Sequence, residues 1–434
     1  MSGENEGVSV SSTEPGTPAA DFPMLPVASR YFDAAATAPL RPEARAAMVA
    51  VWDAGQANPS SVHSEGFRAR TEVDRARHRL ARALGANPAE VIFTSGGTEA
   101  NNLAIVGLSL ARPRGRHLVT SAIEHPSVLE SCRFLERVFG FELTVLPVDE
   151  WGRIDADAVA VALRPDTTLL SLGLANAEVG TVQALPELVS RARELGITVH
   201  TDAVQAAAAL PISFARGTSA ASASGMAQVA DDWPGGSVDA MTIASHKFGG
   251  PQGAGALLVR RNLPIEPLLH GGGQERGARS GTENVAAVAG FAVAVEVAMS
   301  SVGERAVALL QSRDELISRV LAGVPGAALT GHPVERLPGH ASFTVAGVSG
   351  ESMLVALDTA GFAVSSGSAC AAGKSEPSPV LLAMELGPDV AQTALRFSLA
   401  EPISAAVAER VVGVLNAEAN RGESATATLR SARS

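Results

Sequence analysis

Residues 168–202 read TLLSLGLANAEVGTVQALPELVSRARELGITVHTD. A short apolar run at 168–174 is followed by an amphipathic stretch, ALPELVSRARELG (184–196), and then by a second short run, GITVHTD (196–202), a pattern that predicts strand, helix, strand. The same alternation extends outward on both sides. EVIFTS (90–95), HLVTSA (117–122), ELTVLPV (142–148), VDAMTIAS (238–245) and GALLVRR (255–261) are further strand candidates, with helical stretches at EARAAMVAVWDAG (43–55) and ANNLAIVGLSLA (100–111). That order predicts an α/β fold whose seven strands form a mostly parallel sheet covered by helices on both faces.

Past Val302 the pattern changes. A helical stretch leads to new strands, HASFTVAG (340–347), FAVSSG (362–367) and ALRFSLA (394–400), and to a closing helix, ISAAVAERVVGVLNAE (403–418), which together predict a smaller α+β domain. The expected division is a large domain over 43–300 and a small one built from 29–42 and 301–418. Residues 1–28 are rich in Ser, Gly, Pro and Glu and hold too little apolar surface to offset the entropy of ordering, so a disordered leader is expected. The tail over 419–434, with NRGESATATLRSARS from Asn420, is expected to fray, and the small, polar, Gly-rich stretch 214–237 to form an exposed insertion.

Composition narrows the classes of function. No run approaches the ~20 uninterrupted apolar residues of a membrane span, although 46% of the 434 residues are hydrophobic. The net charge of −11, from 45 acidic and 34 basic side chains with no basic stripe, argues against direct nucleic-acid binding. Two cysteines, Cys132 and Cys370, make no disulfide framework, and the start MSGENEGVSV has no basic region leading into an apolar one, so a reducing cytoplasm is expected.

Six places carry chemistry. In SHKFGGPQGAG, Lys247 stands just past the end of an apolar strand, where open α/β sheets bind ligands; a partly desolvated amine there can condense with an aldehyde. In GITVHTDAVQ, Asp202 ends a strand and can hold a pyridinium nitrogen protonated, making the ring an electron sink, while His200 on the same face reads as structural. TSGGTEANN links a strand to a helix, so its glycines and the helix N-terminus can cradle a phosphate, with Thr98 adding a hydroxyl. His125, in SAIEHPSV, can stack on a planar group and move protons. Cys370 lies in a loop-like stretch, SSGSACAAGKSEPSP, that leaves its thiol accessible, and Arg396 in ALRFSL offers a bidentate fork for a carboxylate. Read singly, each has an ordinary alternative: a turn lysine, an N-cap aspartate, a routine strand-helix turn capped by Thr98, a loop histidine, an incidental cysteine, a surface or interdomain ion pair.

Taken in order, TSGGTEANN, EHPSV, NAEVG, HTDAVQ, SHKFGGPQG, HGGGQERGARSGTEN, SSGSAC and LRFSL resemble the cysteine desulfurase family of fold-type I pyridoxal-phosphate enzymes, over about residues 30 to 415. The extended SSGSAC loop resembles the nitrogen-fixation and housekeeping iron-sulfur group. The resemblance implies pyridoxal 5'-phosphate as cofactor and L-cysteine as substrate. Lys247 would carry the cofactor and later move the substrate α-proton, Asp202 would pair with the ring nitrogen, Gln205 with the ring hydroxyl, and His125 would stack on the ring. Gly97, Thr98 and His246 would hold the phosphate, and Thr282 would reach the phosphate of a partner subunit's cofactor, implying a homodimer with composite active sites. Asn176 and Arg396 would bind the cysteine carboxylate. Cys370 would take the sulfur as a persulfide and hand it to a protein acceptor, an iron-sulfur scaffold or a thiolation protein. Metal enters only through that iron-sulfur association; no residue is assigned as a metal ligand.

Two positions depart from the family pattern. Ala244 stands where the family commonly has a phosphate-contacting serine, leaving Ser245 as a substitute, and Ala400 replaces the glycine of Arg-Phe-Ser-Leu-Gly. Because fold alone does not select a reaction, a selenocysteine lyase, an aminotransferase-like enzyme and a silent scaffold are the competing readings.

Overall fold

The computed structural model describes residues 30–55, 57–215, 237–366 and 377–431, with side chains to residue 421. The expected leader, Cys370 and all but the ends of the expected insertion lie outside the described residues.

Helices α1 (Pro42–Asp53) and α2 (Ser64–Ala83) precede β1 (Val91–Thr94). Next, α3 (Gly97–Asn102) runs through a π-helical turn (Leu103–Gly107) into α4 (Leu108–Ala111). Then come β2 (His117–Ser121), α5 (Pro126–Phe139), β3 (Glu142–Leu146), α6 (Ala156–Ala162), β4 (Thr167–Gly173), α7 (Leu185–Glu194), β5 (Thr198–Asp202), β6 (Ala240–Ala244) and β7 (Gly255–Val259). The seven strands lie in the order β1-β7-β6-β5-β4-β2-β3, and β7 alone runs against the others. The mostly parallel sheet expected from the βαβ order is thus present.

Both faces are covered. Phe93, Val119, Leu170, Val199 and Leu258 point into one core with α2 and α7, while their neighbours Ile92, Leu118, Leu169 and Leu257 point into another with α3, α4 and α5. Burial on both sides explains why these strands read as continuous apolar runs rather than alternating ones. The apolar α8 (Val285–Ser300) packs into the first core. Among the described residues no single helix is long and apolar enough to cross a membrane.

A third core gathers α9 (Val302–Gly323), β8 (Ala327–Leu329), β9 (His340–Val345), α10 (Gly350–Thr359), β10 (Ala394–Ser398) and α13 (Ala405–Ser431), with the short α11 (Pro379–Ala383) and α12 (Pro388–Ala391) lying before β10. Its sheet is antiparallel, in the order β10-β9-β8. Phe32, from the segment before α1, belongs to this core and stacks on Phe362 at 5.7 Å.

Two sequence expectations change here, and one strand, β8, was not foreseen. FAVSSG forms no ladder; Ala363 and Ser365 make single bridges to Tyr31 and Arg396, because Tyr31–Phe32 and the end of β10 share its pairing groups. The short β8 carried too few residues to show a period. Past Asn420, where a frayed tail was expected, α13 continues to Ser431, in keeping with the helix-favouring Ala, Glu, Leu and Arg of its last turns.

Candidate active site

The site lies beyond the carboxyl ends of β5 and β6. Asp202, the last residue of β5, is flanked by Gly173 of β4 and Thr242 of β6. Its Oδ1 accepts the Val204 amide at 2.9 Å and its Oδ2 accepts Asn101 Nδ2 at 2.7 Å. The local cap and the functional orientation therefore coexist, one oxygen serving each. Lys247 closes a single 3-10 turn (Ser245–Lys247) after β6. Its Nζ donates to the carbonyl of Ala35 and, at 2.9 Å, to that of Ala36, and Gln205 Nε2 donates to Ala35 at 3.0 Å. The segment before α1 runs along this loop: Thr37 Oγ1 lies 2.7 Å from His246 Nδ1, the Ala38 amide donates to His246 O, and Arg41 Nε to Phe248 O. Lys247 and Gln205 line a cavity of about 260 Å³ beneath that segment. His246 is pushed down to about 4 by burial and by the nearby Lys247 charge, so its ring is neutral.

The turn into α3 meets these strands. A side chain at Gly97 would begin 2.9 Å from Val204 Cγ2 and 3.4 Å from Ala244 Cβ, so only glycine lets α3 approach so closely. No side chain caps the N-terminus of α3, and Thr98 is exposed. Ala244 thus borders the phosphate turn without a hydroxyl. Ser245 does not replace it: the residue is fully buried, and its Oγ, without a hydrogen-bond partner, is only 2.3 Å from where a Gly250 side chain would begin. Arg279, from the HGGGQERGARSGTEN loop, pairs with Glu99 of α3 at 2.8 Å.

His125 caps α5, its Nδ1 accepting the Ser127 amide at 3.1 Å and lying 2.7 Å from Ser127 Oγ. Burial pulls its pKa below the ordinary value; Asp202 opposes the shift and Lys247 adds to it. Asp202 and Lys247 therefore both lie within electrostatic reach of this ring. Neighbouring Glu124 is buried, its Oε1 accepting Ser121 Oγ at 2.6 Å and the Gly173 amide at 3.0 Å. Burial pushes it up to about 7, the two donors opposing the shift and Asp202 adding to it. The folded protein then holds a proton that the unfolded chain releases near the ordinary carboxyl pKa, so this contribution is fully present below about pH 4.5 and lost as pH rises through about 7. Glu124→Gln should abolish that dependence, gaining on the wild type by at most ~3 kcal/mol above neutrality. Urea unfolding of both proteins at pH 5 and pH 8 checks it, and parallel losses would refute the assignment.

Arg396 is 2% exposed; its Nη2 pairs with Asp33 at 2.7 Å, its Nη1 donates to Ala177 O at 3.1 Å, and its Nε is buried without a partner. Asn176 differs from its expected use. Its Nδ2 donates to Ile123 O at 2.9 Å and its Oδ1 accepts the Glu178 and Val179 amides, so the side chain shapes the turn that presents Ala177 O to Arg396. Nδ2 spends one of its two hydrogens on the bond to Ile123 O. Thr282 is exposed and stands apart from the Lys247 cavity, in a surface groove with Trp52 and Phe67. Cys132 is buried, and burial pushes its thiol up to about 12, which keeps it protonated. Sequence reasoning passed over Asn101, Ser127 and Glu124. Asn101 lies in the quoted TSGGTEANN stretch and the other two beside His125, but they meet partners on elements distant in sequence: Asp202 and Ser127 for Asn101, Asn101 for Ser127, Gly173 for Glu124.

The donor set fits pyridoxal phosphate. An amine after one strand, a carboxylate ending the next, an imidazole near both and an uncapped helix N-terminus in contact with those strand ends match the aldehyde, ring nitrogen, ring face and phosphate.

Residues 30–407 match the class-V aminotransferase family. The chain belongs to that family and is a pyridoxal-phosphate-dependent enzyme. Its relatives include the cysteine desulfurase IscS of Dictyoglomus turgidum, 42% identical over 370 residues that cover 85% of this chain and 89% of the relative. An IscS-like cysteine desulfurase of Mycobacterium tuberculosis is 42% identical over 377 residues, covering 85% and 91%. Among solved structures, a NifS-like protein superposes with a TM-score of 0.78 at 30% identity, covering 89% of this chain and 98% of that one. The structure described as SspA in complex with cysteine superposes with a TM-score of 0.72 at 33% identity, covering 87% and 100%. Within the family, the chain is a cysteine desulfurase.

Proposed function

We propose that this site removes sulfur from L-cysteine and leaves it on Cys370 as a persulfide, with L-alanine as the other product. The observation that carries the reading is the meeting of Lys247, Asp202, His125 and the Gly97 turn beyond the ends of β5 and β6. Bound pyridoxal phosphate supplies an electrophilic aldehyde and, with its ring nitrogen protonated, an electron sink. Lys247 presents the amine that holds the cofactor and is placed to accept the substrate α-proton. Asp202, clamped through Oδ2 by Asn101, keeps negative charge toward the ring nitrogen. Gly97, Thr98 and His246 hold the phosphate, Gln205 faces the ring hydroxyl, and Asn176 supplies its remaining amide hydrogen to the substrate. Arg396 takes the substrate carboxylate, its buried Nε being among the donors that the chain itself does not use.

At the sulfur the balance is simple. The Cys370 thiolate attacks the substrate sulfur, an S–S bond forms, the substrate C–S bond breaks, and the carbon skeleton takes up a proton to leave as alanine. The thiolate fraction near neutrality follows from an ordinary thiol pKa of about 8.5. Two thiol equivalents, or a protein acceptor such as an iron-sulfur scaffold or a thiolation protein, then remove the persulfide sulfur. A reducing cytoplasm suits this chemistry. Cys370→Ser is expected to lower cysteine-dependent sulfide release about a hundredfold while leaving cofactor absorbance intact. Sulfide release with equimolar alanine from the wild type, and loss of the 32-Da adduct (about one sulfur atom) on the variant by mass spectrometry, check it; undiminished sulfide from the variant would exclude Cys370 as acceptor.

The groove of about 1210 Å³ that holds Thr282 also exposes Trp52 and Phe67, at 48% and 66%. An apolar patch of this kind beside Thr282 supports the homodimer in which Thr282 reaches the partner's cofactor phosphate. Sedimentation of the wild type and of Trp52→Glu with Phe67→Glu tests it: dimer for the first, monomer for the second.

A further inference from the structure

His125 and Asp202 stand on different elements, yet one line of hydrogen bonds joins them. Asn101 Nδ2 donates to Asp202 Oδ2 at 2.7 Å and to Ser127 Oγ at 2.9 Å; Ser127 Oγ lies 2.7 Å from His125 Nδ1, which also accepts the Ser127 amide at 3.1 Å. Asn101 is 1% exposed and Ser127 8%. The direction of each bond follows from chemistry. A backbone N–H only donates, so Nδ1 carries a lone pair, and a neutral ring with its lone pair at Nδ1 has its proton at Nε2. A carboxylate only accepts, so Asn101 turns its NH₂ toward Asp202, and the second hydrogen of that NH₂ goes to Ser127 Oγ. Because Nδ1 carries no hydrogen it can only accept, so the Ser127 hydroxyl gives its own hydrogen to Nδ1 while a lone pair of its oxygen takes the Asn101 hydrogen. Asn101 Oδ1 is left buried without a partner, a loss that the two outgoing bonds outweigh.

We infer that Ser127 is a positioning residue that holds His125 as the neutral imidazole protonated at Nε2, and that Asn101 positions Ser127 by tying it to the carboxylate of Asp202. Because Asn101 donates in both directions, no proton passes between His125 and Asp202 along this line; it fixes geometry. His125 can take up a proton only at Nδ1, where two donors would first have to let go. The charged groups facing it are Asp202 from β5, which favours protonation, and Lys247 from the loop after β6, which opposes it; Glu124 precedes it in the chain. His125 is therefore a donor through Nε2 at neutral pH, not a base.

The inference rests on the reading of His125 and Asp202 as residues of the cofactor site, but its test does not depend on turnover. The full chain, labelled with ¹⁵N-histidine, is titrated by NMR with and without pyridoxal phosphate, as wild type, Ser127→Ala and Ser127→Thr. The wild-type His125 is expected to show the Nε2–H tautomer with a midpoint below the ordinary ~6.5. In Ser127→Ala the midpoint should rise by about one pH unit, because one donor to Nδ1 is gone, and Ser127→Thr should restore it. A wild-type ring protonated at Nδ1, or equal midpoints in all three proteins, overturns the inference. Asn101→Ala provides a second arm should Ser127→Ala fail to fold: the hydroxyl stays, so the tautomer should persist, and a switch to Nδ1–H would count against it. A wild type with the expected tautomer but no desulfurase activity would strike the function and leave this inference standing.

Discussion

Lys247→Ala is expected to leave a folded protein that no longer binds pyridoxal phosphate covalently and whose desulfurase turnover falls by about ten-thousandfold. The folding part follows from what the amine touches. Its nitrogen donates to the carbonyls of Ala35 and Ala36, and that segment keeps independent ties through Thr37 to His246, Ala38 to His246 and Arg41 to Phe248. The catalytic part follows from removing the covalent anchor and the proton acceptor in one change. Near-ultraviolet absorbance that stays with the protein after reduction with borohydride and denaturation separates covalent from non-covalent cofactor, and sulfide release gives turnover. Covalent cofactor retained in the variant would show that another amine carries it, and the assignment of Lys247 would fail.

Arg77→Ala is expected to cost about 3–5 kcal/mol of stability. Arg77 grips Glu275 through two bonds of 2.7 Å and also donates to Val91 O at 2.9 Å, while Glu275 Oε2 accepts the Phe93 amide at 2.9 Å. Their side chains are 9% and 1% exposed. Alanine at 77 leaves a carboxylate buried with one backbone donor, and the penalty is mostly that stranded charge. Glu275 and Arg276 also hold the left-handed region, with φ of +47° and +58°, a strain that the ion pair and the Arg276 bond to Val91 O at 2.6 Å hold in place. The same loop carries Arg279, which pairs with Glu99 of α3, so loosening it should also weaken the hold on the turn into α3. Guanidinium unfolding of wild type, Arg77→Ala and the double variant Arg77→Met with Glu275→Gln checks the account. The double variant should recover more than half of the loss, since no unpaired charge remains; a double variant as unstable as the single would show that packing, not the stranded carboxylate, sets the effect.

Much of this was legible because the informative residues are local. Lys247, Asp202 and Gly97 all stand at the ends of apolar runs, and a strand end in an α/β sheet is a place where side chains are free to meet a ligand. Asn176 shows the limit. Its motif is right, yet the side chain spends its oxygen on the amides of Glu178 and Val179, something spacing does not reveal. Ser245 is similar: adjacent to Ala244 in sequence, it faces the interior because a 3-10 turn after β6 rotates it away.

The sequence by itself determined the strand order along the chain in the large domain, the mostly parallel character of its sheet, and the residue types available to hold a cofactor that carries an aldehyde, since apolar periodicity and turn chemistry act over a few residues. Only the tertiary structure decided which of those groups share a site and in what protonation state. Asn101, Ser127 and Glu124 acquire their roles from partners as far as 101 residues away, and burial, which no local pattern encodes, moves Glu124 up and His125 and His246 down. Hydrogen-bond direction and desolvation depend on what surrounds a group in space, and that is fixed when the strands are laid side by side.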